Sequence, residues 1–389
     1  MFGRKPLSGH TRDGRLTVLD LRDTYEIGGP GKTIIETYRA LDRDRFAMHL
    51  GVFATRHETA ETPFVTAAQS AGLPVHSVRG HNQYDPRLIW RIVQLVKTLG
   101  VDIIHAHEVK SDVLTAVATL LHRVPIMTTL HGWIGNSRKQ RTMIALDRRV
   151  ARAFDVVVAV SQGMFDEVAA DGYRPGQLRL LHNAIVIENY RRTGERGYLE
   201  ARLGRVFEEP VLSSIGRLSV EKGHADLLEA VAQVTARGHR VSLVLAGDGP
   251  ARAELEALAR ALGLGQCVHF TGYIDRPDRL LEETDLAVLP SHTEGLPNAA
   301  LEALAMEIPL LATRVGGTPE VVTDDITGRL VEARSPEALA AGIEDFLRNP
   351  GPWSERARMG RTMVETKFNF QARTRALEAI YAELGAVPR

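Results

Sequence analysis

The stretch PSHTEGLPNAALEALAMEIPLLATRVGGTPEVV, residues 290 to 322, contains the end of one strand, a helix and the next strand. The first strand ends at Ser291, and Pro297 suits the first helical position because its missing N–H costs nothing there. The helix is predicted to reach Met306, and the apolar run 310–317 predicts a second strand. Strand, helix and strand in this order are typical of an α/β domain with a parallel sheet.

The same alternation of apolar runs and amphipathic stretches fills the rest of the chain, in two sets. The predicted strands are residues 16–21, 46–53, 101–107, 125–131, 155–161 and 178–184 in the first set, and 211–218, 241–249, 267–274, 286–291 and 310–317 in the second. Strands that are apolar throughout indicate parallel sheets covered on both faces. We therefore predict an α/β protein with two Rossmann-like, doubly wound parallel-sheet domains that face each other across a cleft, where ligands bind at the strand ends.

The length of 389 residues also favours two domains, since single cores stop growing at about 250–300 residues. Residues 185–208 are polar and charged and interrupt the alternation, so we interpret them as the connection. The predicted domains are residues 1–190 and 205–365.

Composition excludes several classes of protein. The 48 Lys and Arg balance the 48 Asp and Glu, and a net charge of zero argues against a nucleic-acid partner. The single cysteine, Cys267, excludes a disulfide framework and a cysteine zinc cluster. With no apolar run of about 18 residues and a polar, basic N-terminal stretch unlike a secretory signal, we expect a cytoplasmic protein.

Two carboxylates flank the start of the helix in the opening stretch. Glu294 and Glu302 would lie at most about 12 Å apart, which suits contacts with hydroxyls on opposite sides of a diphosphate bound at the helix N-terminus. Carboxylates near helix starts are also common as solvated groups. The spacing alone leaves both interpretations open.

Two cations follow the first strand of the second set, in GRLSVEKGH, residues 216–224. Arg217 and Lys222 flank a short loop, where they would neutralise a diphosphate without a metal. Taken alone, such residues are more often surface charges. The turn GDGP, residues 247–250, is explained equally by loop geometry and by ligand contact.

Together these motifs resemble the retaining glycosyltransferases of family 4, which have the GT-B fold. The matching pieces of the second half, in order, are GRLSVEKG, LAGDGP, HFTGYI, PSHTEGLPNAALEALA and PLLATRVGGTPEVVTDDITGRLV. The first half matches more weakly, through a Gly-Gly pair, VDIIHAH, TLHG, VAVS and HNAI. The last stretch resembles the family's C-terminal helix, which implies that residues 370–386 pack back on the first domain.

The resemblance assigns roles to individual residues. It implies that Arg217 and Lys222 bind the donor diphosphate and that Glu294 contacts the donor sugar. The implied catalytic residues are His131, Arg217, Lys222 and Glu294, and the implied donor-binding residues are Gly28, Gly29, Gly216, Tyr273, Ile274, Gly295, Leu296, Pro297, Asn298 and Glu302. Glu302 would hold the ribose, and His131 would lie near the sugar, although a lone histidine at a strand end is usually polar surface or a satisfied core group.

The resemblance also implies an activity. A hexose-type sugar would move from a nucleotide diphosphate sugar to a hydroxyl of a glycan or lipid-linked acceptor, with retention, in cell-surface polysaccharide or glycolipid synthesis. No metal and no cofactor besides the donor substrate would be needed. A nucleotide-sugar epimerase, another enzyme of the same fold such as a phosphorylase, and an inactive sugar-nucleotide binder remain alternatives.

Several other features need an interpretation. EIGGPGKTIIE, residues 26–36, ends like a phosphate-binding P-loop, but Glu26 stands where that loop needs glycine. We interpret Gly28 and Gly29 as the family's glycine loop, with the helix beginning at Lys32. The Asp-Arg-Asp at residues 42–44 is interpreted as a solvated turn and not a metal site, and Glu307 stands where the family often has glycine.

Two further assignments concern histidines and lipid. His105 is interpreted as structural, and the role of His107 stays open. Residues 138–153 predict a basic amphipathic helix, which would make peripheral contact with anionic lipid at the inner face of the membrane. A solvated helix face with a stripe toward the core explains the same pattern.

Overall fold

The computed structural model describes residues 14–23, 28–55, 62–82, 85–131 and 138–386. The chain divides into two compact units, of which the first is Met1–Asn183 with Phe370–Arg389 and the second is Ala184–Asn369. This division differs from the predicted boundaries, because residues 184–208 belong to the second unit and do not form a separate connection.

The first unit contains a seven-stranded parallel sheet in the order β3-β2-β1-β4-β5-β6-β7. Its strands are β1 (Leu16–Arg22), β2 (Phe46–Thr55), β3 (Val75–Gly80), β4 (Ile103–Ala106), β5 (Ile126–Leu130), β6 (Val156–Ala159) and β7 (Leu178–Leu180). The order reverses between β1 and β4, which is the topological switch point where ligands bind in open α/β sheets.

The second unit contains a six-stranded parallel sheet in the order β10-β9-β8-β11-β12-β13. Its strands are β8 (Val211–Ile215), β9 (Ser242–Ala246), β10 (Val268–Gly272), β11 (Leu286–Leu289), β12 (Leu310–Thr313) and β13 (Arg329–Val331). Here the switch point lies between β8 and β11.

Helices connect the strands in both units. They are α1 (Gly28–Ala40), α2 (Pro63–Ser70), α3 (Arg87–Leu99), α4 (Val109–Leu121), α5 (Arg138–Ala151), α6 (Gln162–Ala169), α7 (Tyr198–Leu203), α8 (His224–Ala236), α9 (Arg252–Ala261), α10 (Pro277–Glu282), α11 (Asn298–Ala305), α12 (Thr318–Val321), α13 (Pro336–Arg348), α14 (Pro350–Lys367) and α15 (Phe370–Gly385). Among the described residues, no helix combines the length and the apolar character needed to cross a bilayer.

Successive side chains of one strand enter different cores, which confirms that the sheets are covered on both faces. Val18 of β1 belongs to one buried cluster, whereas Leu19 and Leu21 belong to another. Neighbouring residues of a strand point to opposite faces of its sheet, so each face is buried. In the first unit α15 contributes to one of these cores, because Leu377, Tyr381 and Leu384 share a helical face that packs with β1 and β4.

Local structure differs from the sequence-based expectation at four places. Pro297 is the N-cap of α11, with φ −77° and ψ 108°, and not its first helical residue. Gly28 and Gly29 begin α1 and do not form a loop, so Lys32 lies inside that helix. Two short strands, β3 and β13, have no counterpart in the prediction, since β3 is only partly buried and β13 has three residues.

Candidate active site

An ion pair joins the two strands at the switch point of the second unit. Lys222, in the loop after β8, donates from Nζ to Glu294 Oε1 at 2.7 Å, and Glu294 follows β11. Ser291 Oγ donates to the same carboxylate oxygen at 2.6 Å. The Glu294 side chain is 7% exposed and that of Lys222 is 27% exposed, so the lysine head lies where solvent or a ligand reaches it.

Two glycines hold the surrounding loops in contact. Gly223, with φ +64°, touches the carbonyl of Pro290, and Gly316, with φ +50°, touches the carbonyl of Glu294. A side chain at either position would overlap those carbonyl oxygens, and the positive φ itself favours glycine. The loops after β8, β11 and β12 therefore meet around Lys222 and Glu294.

The start of α11 contributes polar groups to the same edge of the sheet. The first N–H groups of a helix lack intrahelical partners and favour an anion. Asn298 is the first helical residue, and its side-chain Oδ1 has no hydrogen-bond partner among the described residues. Leu296 and Pro297 are buried beside it, and the Gly295 carbonyl accepts from Gly317 N at 2.8 Å.

Glu302 occupies a different environment from Glu294. It is 3% exposed, and its carboxylate accepts a hydrogen bond from the Tyr190 hydroxyl at 2.8 Å. The sequence analysis missed Tyr190, which lies in the segment interpreted as a connection. The ribose contact of Glu302 remains a prediction, and Tyr190 holds the carboxylate that would make it.

The other predicted donor-binding residues of this unit divide by exposure. Arg217 is exposed after β8, Gly216 is half-buried beside it, and Tyr273 is 53% exposed after β10. Ile274, in contrast, is buried in a core with Leu280 and other apolar side chains. Its side chain therefore packs inside the unit, and the predicted contact with a base would have to come from its backbone.

In the first unit a hydrogen-bonded chain lies at the β1/β4 switch point and the end of β5. His107 Nε2 is 2.5 Å from Asp20 Oδ1, and His107 Nδ1 is 3.2 Å from His131 Nε2. Asp20 and His107 are buried, and His131 is half-buried. Gly28 and Gly29 follow β1, with Gly28 exposed and Gly29 half-buried.

Burial sets the charge of this chain. It raises the pKa of Asp20 from 3.8 to about 6, an effect opposed by His105 and Arg373. It also lowers the pKa of His107 and that of His131 well below 6.5. At pH 7 the carboxylate is therefore mainly ionised and both imidazoles are neutral.

His105 completes the cluster in a structural role, as interpreted from the sequence. Its two ring nitrogens bond the Tyr381 hydroxyl and Thr129 Oγ1, each at 2.8 Å. Asp20, His105 and His107 offer atoms within 4.8 Å of one another, close enough to hold a metal ion. Because both nitrogens of His105 are already hydrogen-bonded, this arrangement fits a hydrogen-bond network better than a metal site.

Arg373 and Tyr381 were not found from the sequence, although a weak signal exists. They lie eight residues apart on one face of α15 and are both buried, but a charged residue on a terminal helix is usually solvated. Asp20 carried a stronger signal, because it is the one charged residue in the mainly apolar run LTVLDL.

The structure also shows the surroundings of the Asp-Arg-Asp turn and of the basic helix α5. Asp42 and Asp44 are exposed in a turn after α1, where Asp44 N donates to Asp42 Oδ1. In the basic helix α5, Arg148 pairs with Asp171 and Glu167, so that arginine is engaged within the unit. The side chains of residues 138–140, and all of residues 24–27 and 132–137, lie outside the described residues.

Comparisons with known proteins relate both halves of the chain to one group of enzymes. The family described as Glycosyltransferase Family 4 matches residues 27–189, and the family described as Glycosyl transferases group 1 matches residues 199–364. The glycogen synthase of Mycobacterium tuberculosis is 28% identical over 292 residues, which are 72% of this chain and 68% of that protein. The N-acetyl-alpha-D-glucosaminyl L-malate synthase of Bacillus anthracis is 26% identical over 316 residues, or 79% and 82% of the two chains.

Solved structures show the same fold at low sequence identity. The Anabaena protein HepE in complex with UDP and glucose has a TM-score of 0.84 and 23% identity, over 95% of this chain and all of that one. The sucrose-phosphate synthase of Thermosynechococcus elongatus has a TM-score of 0.78 and 20% identity, over 96% of this chain and all of that one. With one family matched in each half, the protein belongs to the family 4 glycosyltransferases of GT-B fold.

Proposed function

We propose that this glycosyltransferase moves a hexose-type sugar, with retention, from a nucleotide diphosphate sugar to a hydroxyl of a glycan or lipid-linked acceptor. The observation that carries the proposal is the Lys222–Glu294 pair at the β8/β11 switch point. A lysine held by a carboxylate that lies four residues before the first residue of α11 suits a ligand that combines phosphates with sugar hydroxyls. The Anabaena neighbour crystallised with UDP-glucose supports this class of donor.

In this proposal Lys222 and Arg217 carry the diphosphate, and Glu294 contacts the sugar. The bond between the anomeric carbon and the phosphate oxygen breaks as both cations stabilise the charge on the leaving group. The acceptor oxygen bonds to the anomeric carbon from the same face. Its proton passes to the leaving phosphate, so the reaction needs neither a side-chain base nor a metal or other cofactor.

The remaining predicted residues bind the donor. Glu302 holds the ribose, His131 contacts the transferred sugar, and the base lies beside Tyr273 and the backbone of Ile274. The remaining donor-binding residues that we propose lie beside the phosphates or let the backbone come close to the donor. They are Gly28, Gly29, Gly216, Gly295, Leu296, Pro297 and Asn298. The biological setting that we propose is cell-surface polysaccharide or glycolipid synthesis in the cytoplasm.

Calorimetry with UDP-, GDP- and ADP-glucose in EDTA tests the donor class. We expect one nucleotide sugar to bind the native protein without metal and to bind Lys222→Met more weakly. The matched control is Lys97→Met on α3, in the first unit, which should bind like the native protein. Binding that appears only after a divalent metal is added would contradict metal independence.

Product analysis by proton NMR tests the reaction. Incubation with the bound donor and a panel of glycan acceptors should give a glycoside with the donor's anomeric configuration. A product with the opposite configuration would contradict retention. Conversion of the donor into an epimeric nucleotide sugar, without an acceptor, would establish the alternative function of an epimerase.

We also propose that the first unit makes peripheral contact with anionic lipid through α5 and its neighbours. The helices α3, α4 and α5 are adjacent, and Asp147 of α5 is buried while Arg141 and Arg149 are exposed. The exposed charges described on α5 are therefore basic. The same three helices also carry large exposed apolar side chains. They are Trp90, Val117, Leu120, Leu121, Met143 and Leu146.

Vesicle co-sedimentation tests this contact. Vesicles containing phosphatidylglycerol should bind the native protein, whereas purely phosphatidylcholine vesicles should not. Arg141→Glu combined with Arg149→Glu should abolish binding, because the attraction to anionic lipid is electrostatic. Arg260→Glu on α9 of the second unit is the control for a general change of charge. Equal sedimentation with both lipids would contradict the proposal.

A further inference from the structure

The chain Asp20–His107–His131 connects a buried carboxylate to the histidine proposed to contact the sugar. Asp20 lies in β1, two residues before its end, and His107 and His131 directly follow β4 and β5, the next strands in the sheet. The contacts are 2.5 Å between Asp20 and His107 and 3.2 Å between His107 and His131. His107 uses both ring nitrogens in these contacts, so the proton positions at its two ends are coupled.

The charged and titratable groups around this chain come from four parts of the first unit. They are Arg22 of β1, His105 of β4, Glu108 of the loop after β4, and Arg373 and Tyr381 of α15. Arg22 donates to Glu108 at 3.2 Å, and His105 is engaged by Tyr381 and Thr129. Burial raises the pKa of Glu108 as well, against the lowering effect of Arg22. Asp20 is the carboxyl group that contacts His107, and burial raises its pKa to about 6.

The charge state fixes the direction of both hydrogen bonds. An ionised Asp20 only accepts, so a neutral His107 donates from Nε2–H and carries its lone pair on Nδ1. His131 must then donate from Nε2–H to that lone pair, which leaves its own Nδ1 unprotonated. His131 Nδ1 has no hydrogen-bond partner among the described residues, and an unpaired acceptor is tolerated better than an unpaired N–H.

We propose that Asp20 and His107 are positioning residues that hold His131 as the neutral Nε2–H tautomer, and that protonation of Asp20 reverses both hydrogen bonds. The protonated carboxyl donates to His107 Nε2, His107 donates from Nδ1–H to His131 Nε2, and His131 then carries its proton on Nδ1. One proton enters at Asp20, and each histidine exchanges one N–H for the other and stays neutral.

The consequence for the reaction rests on the proposed function. His131 Nδ1 is buried in the structure, so the sugar must uncover this edge of the ring when the donor binds. With Asp20 ionised, the uncovered atom offers a lone pair to a sugar hydroxyl. With Asp20 protonated, the same atom presents an N–H, so a hydroxyl that donated to it loses its partner. A carboxylate at one end of the chain therefore decides which kind of hydrogen bond His131 makes at the other.

Nitrogen-15 NMR of the whole protein, labelled in its histidine rings and free of substrate, tests the tautomers of His107 and His131 directly. His107→Gln and His131→Gln assign the signals. At pH 8 both rings should be Nε2–H, and at pH 5 both should be neutral and Nδ1–H. The proposal would be overturned by Nδ1–H tautomers at pH 8, by imidazolium at pH 5, or by tautomers that do not change between these two pH values. If either variant fails to fold, the proposal still requires two histidine rings of the native protein to change tautomer together between pH 8 and pH 5, and their absence overturns it.

Variants identify the group that titrates. Asp20→Asn cannot gain a proton, so its histidine tautomers should not change between pH 5 and pH 8. Asp102→Asn is the matched control, because Asp102 is a buried carboxylate that accepts from Thr17 N at 2.7 Å, and it should keep the switch. A switch that persists in Asp20→Asn would overturn the role of Asp20.

Kinetics separate this inference from the function on which it rests. If transfer is confirmed, the native kcat/KM should fall about tenfold per pH unit below the tautomer midpoint, and Asp20→Asn should lack this acid limb. An acid limb unchanged in Asp20→Asn would overturn the link to catalysis. If no nucleotide sugar binds but the tautomers switch, the proposed function fails and the hydrogen-bond network stands.

Discussion

Lys222 and Glu294 lie 72 positions apart in the chain and form a hydrogen-bonded ion pair of 2.7 Å. One follows β8 and the other follows β11, the two strands at which the order of the second sheet reverses. Because the carboxylate is largely buried and the ammonium is partly exposed, Glu294 keeps the lysine directed toward the position that we assign to a diphosphate.

Replacing Lys222 should weaken donor binding more than it weakens the fold. Lys222→Met removes a charged hydrogen-bond donor, a loss of about 1.5–3 kcal/mol, so the dissociation constant of the bound nucleotide sugar should rise about 10- to 100-fold. Calorimetry measures this change, with Lys97→Met as the control. An unchanged affinity would show that the diphosphate does not bind at Lys222.

The contact of Gly316 with the Glu294 carbonyl should make Gly316→Ala strongly destabilising. The left-handed backbone costs an alanine about 1–2 kcal/mol, and the overlap with the carbonyl adds about 1–3 kcal/mol. Gly263 is the matched control, since it has φ +74° and no atom within 4 Å of an added Cβ. Urea unfolding should show a larger loss for Gly316→Ala than for Gly263→Ala, and equal losses would refute the contact.

Glu307 carries backbone strain at a position where the resemblance noted in the sequence implies that glycine is common. Its φ is +54°, in the left-handed region that disfavours residues with a Cβ. Glu307→Gly should therefore be more stable than Glu307→Ala by about 1 kcal/mol, because both lose the side chain and only glycine relieves the strain. Thermal unfolding compares the two, and a more stable alanine variant would contradict this expectation.

A pair of buried carboxyl groups should make the first unit less stable as pH rises. Asp112 of α4 is buried, and burial together with Asp147 of α5 holds its pKa well above 3.8. The folded protein thus retains a proton that the unfolded chain releases. The stability from this proton is present at low pH and is lost as pH rises through the folded-state value.

Asp112→Asn should therefore gain stability relative to the native protein as pH rises from 4 to 9, by up to about 1.4 kcal/mol per pH unit. Urea unfolding across this range measures the difference. Asp147→Asn should give the same trend, and the double variant should add little, since either substitution removes the carboxyl pair. If the unfolding free energies of the native and variant proteins change with pH in parallel, the folded protein does not retain a proton on this carboxyl pair.

Much of the fold could be predicted from local patterns. Apolar runs placed eleven of the thirteen strands, because strands buried on both faces are apolar throughout. The prediction failed for β3, where VHSVRG mixes polar and apolar residues, and for β13, which is only three residues long. It also misplaced the start of α1 by four residues and that of α11 by one residue. The last residue of a loop and the first residue of a helix differ in backbone angles and not in hydropathy.

The sequence by itself determined the two parallel sheets and the glycosyltransferase family, and it predicted the residues of the candidate site, because each depends on residues close together in the chain. Only the tertiary structure decided which polar groups meet. Tyr190 reaches Glu302, Asp20 reaches His107, and Tyr381 reaches His105 across 276 positions. The physical reason is that a buried polar side chain must find its hydrogen-bond partner wherever packing places one, and separation along the chain does not constrain where that is.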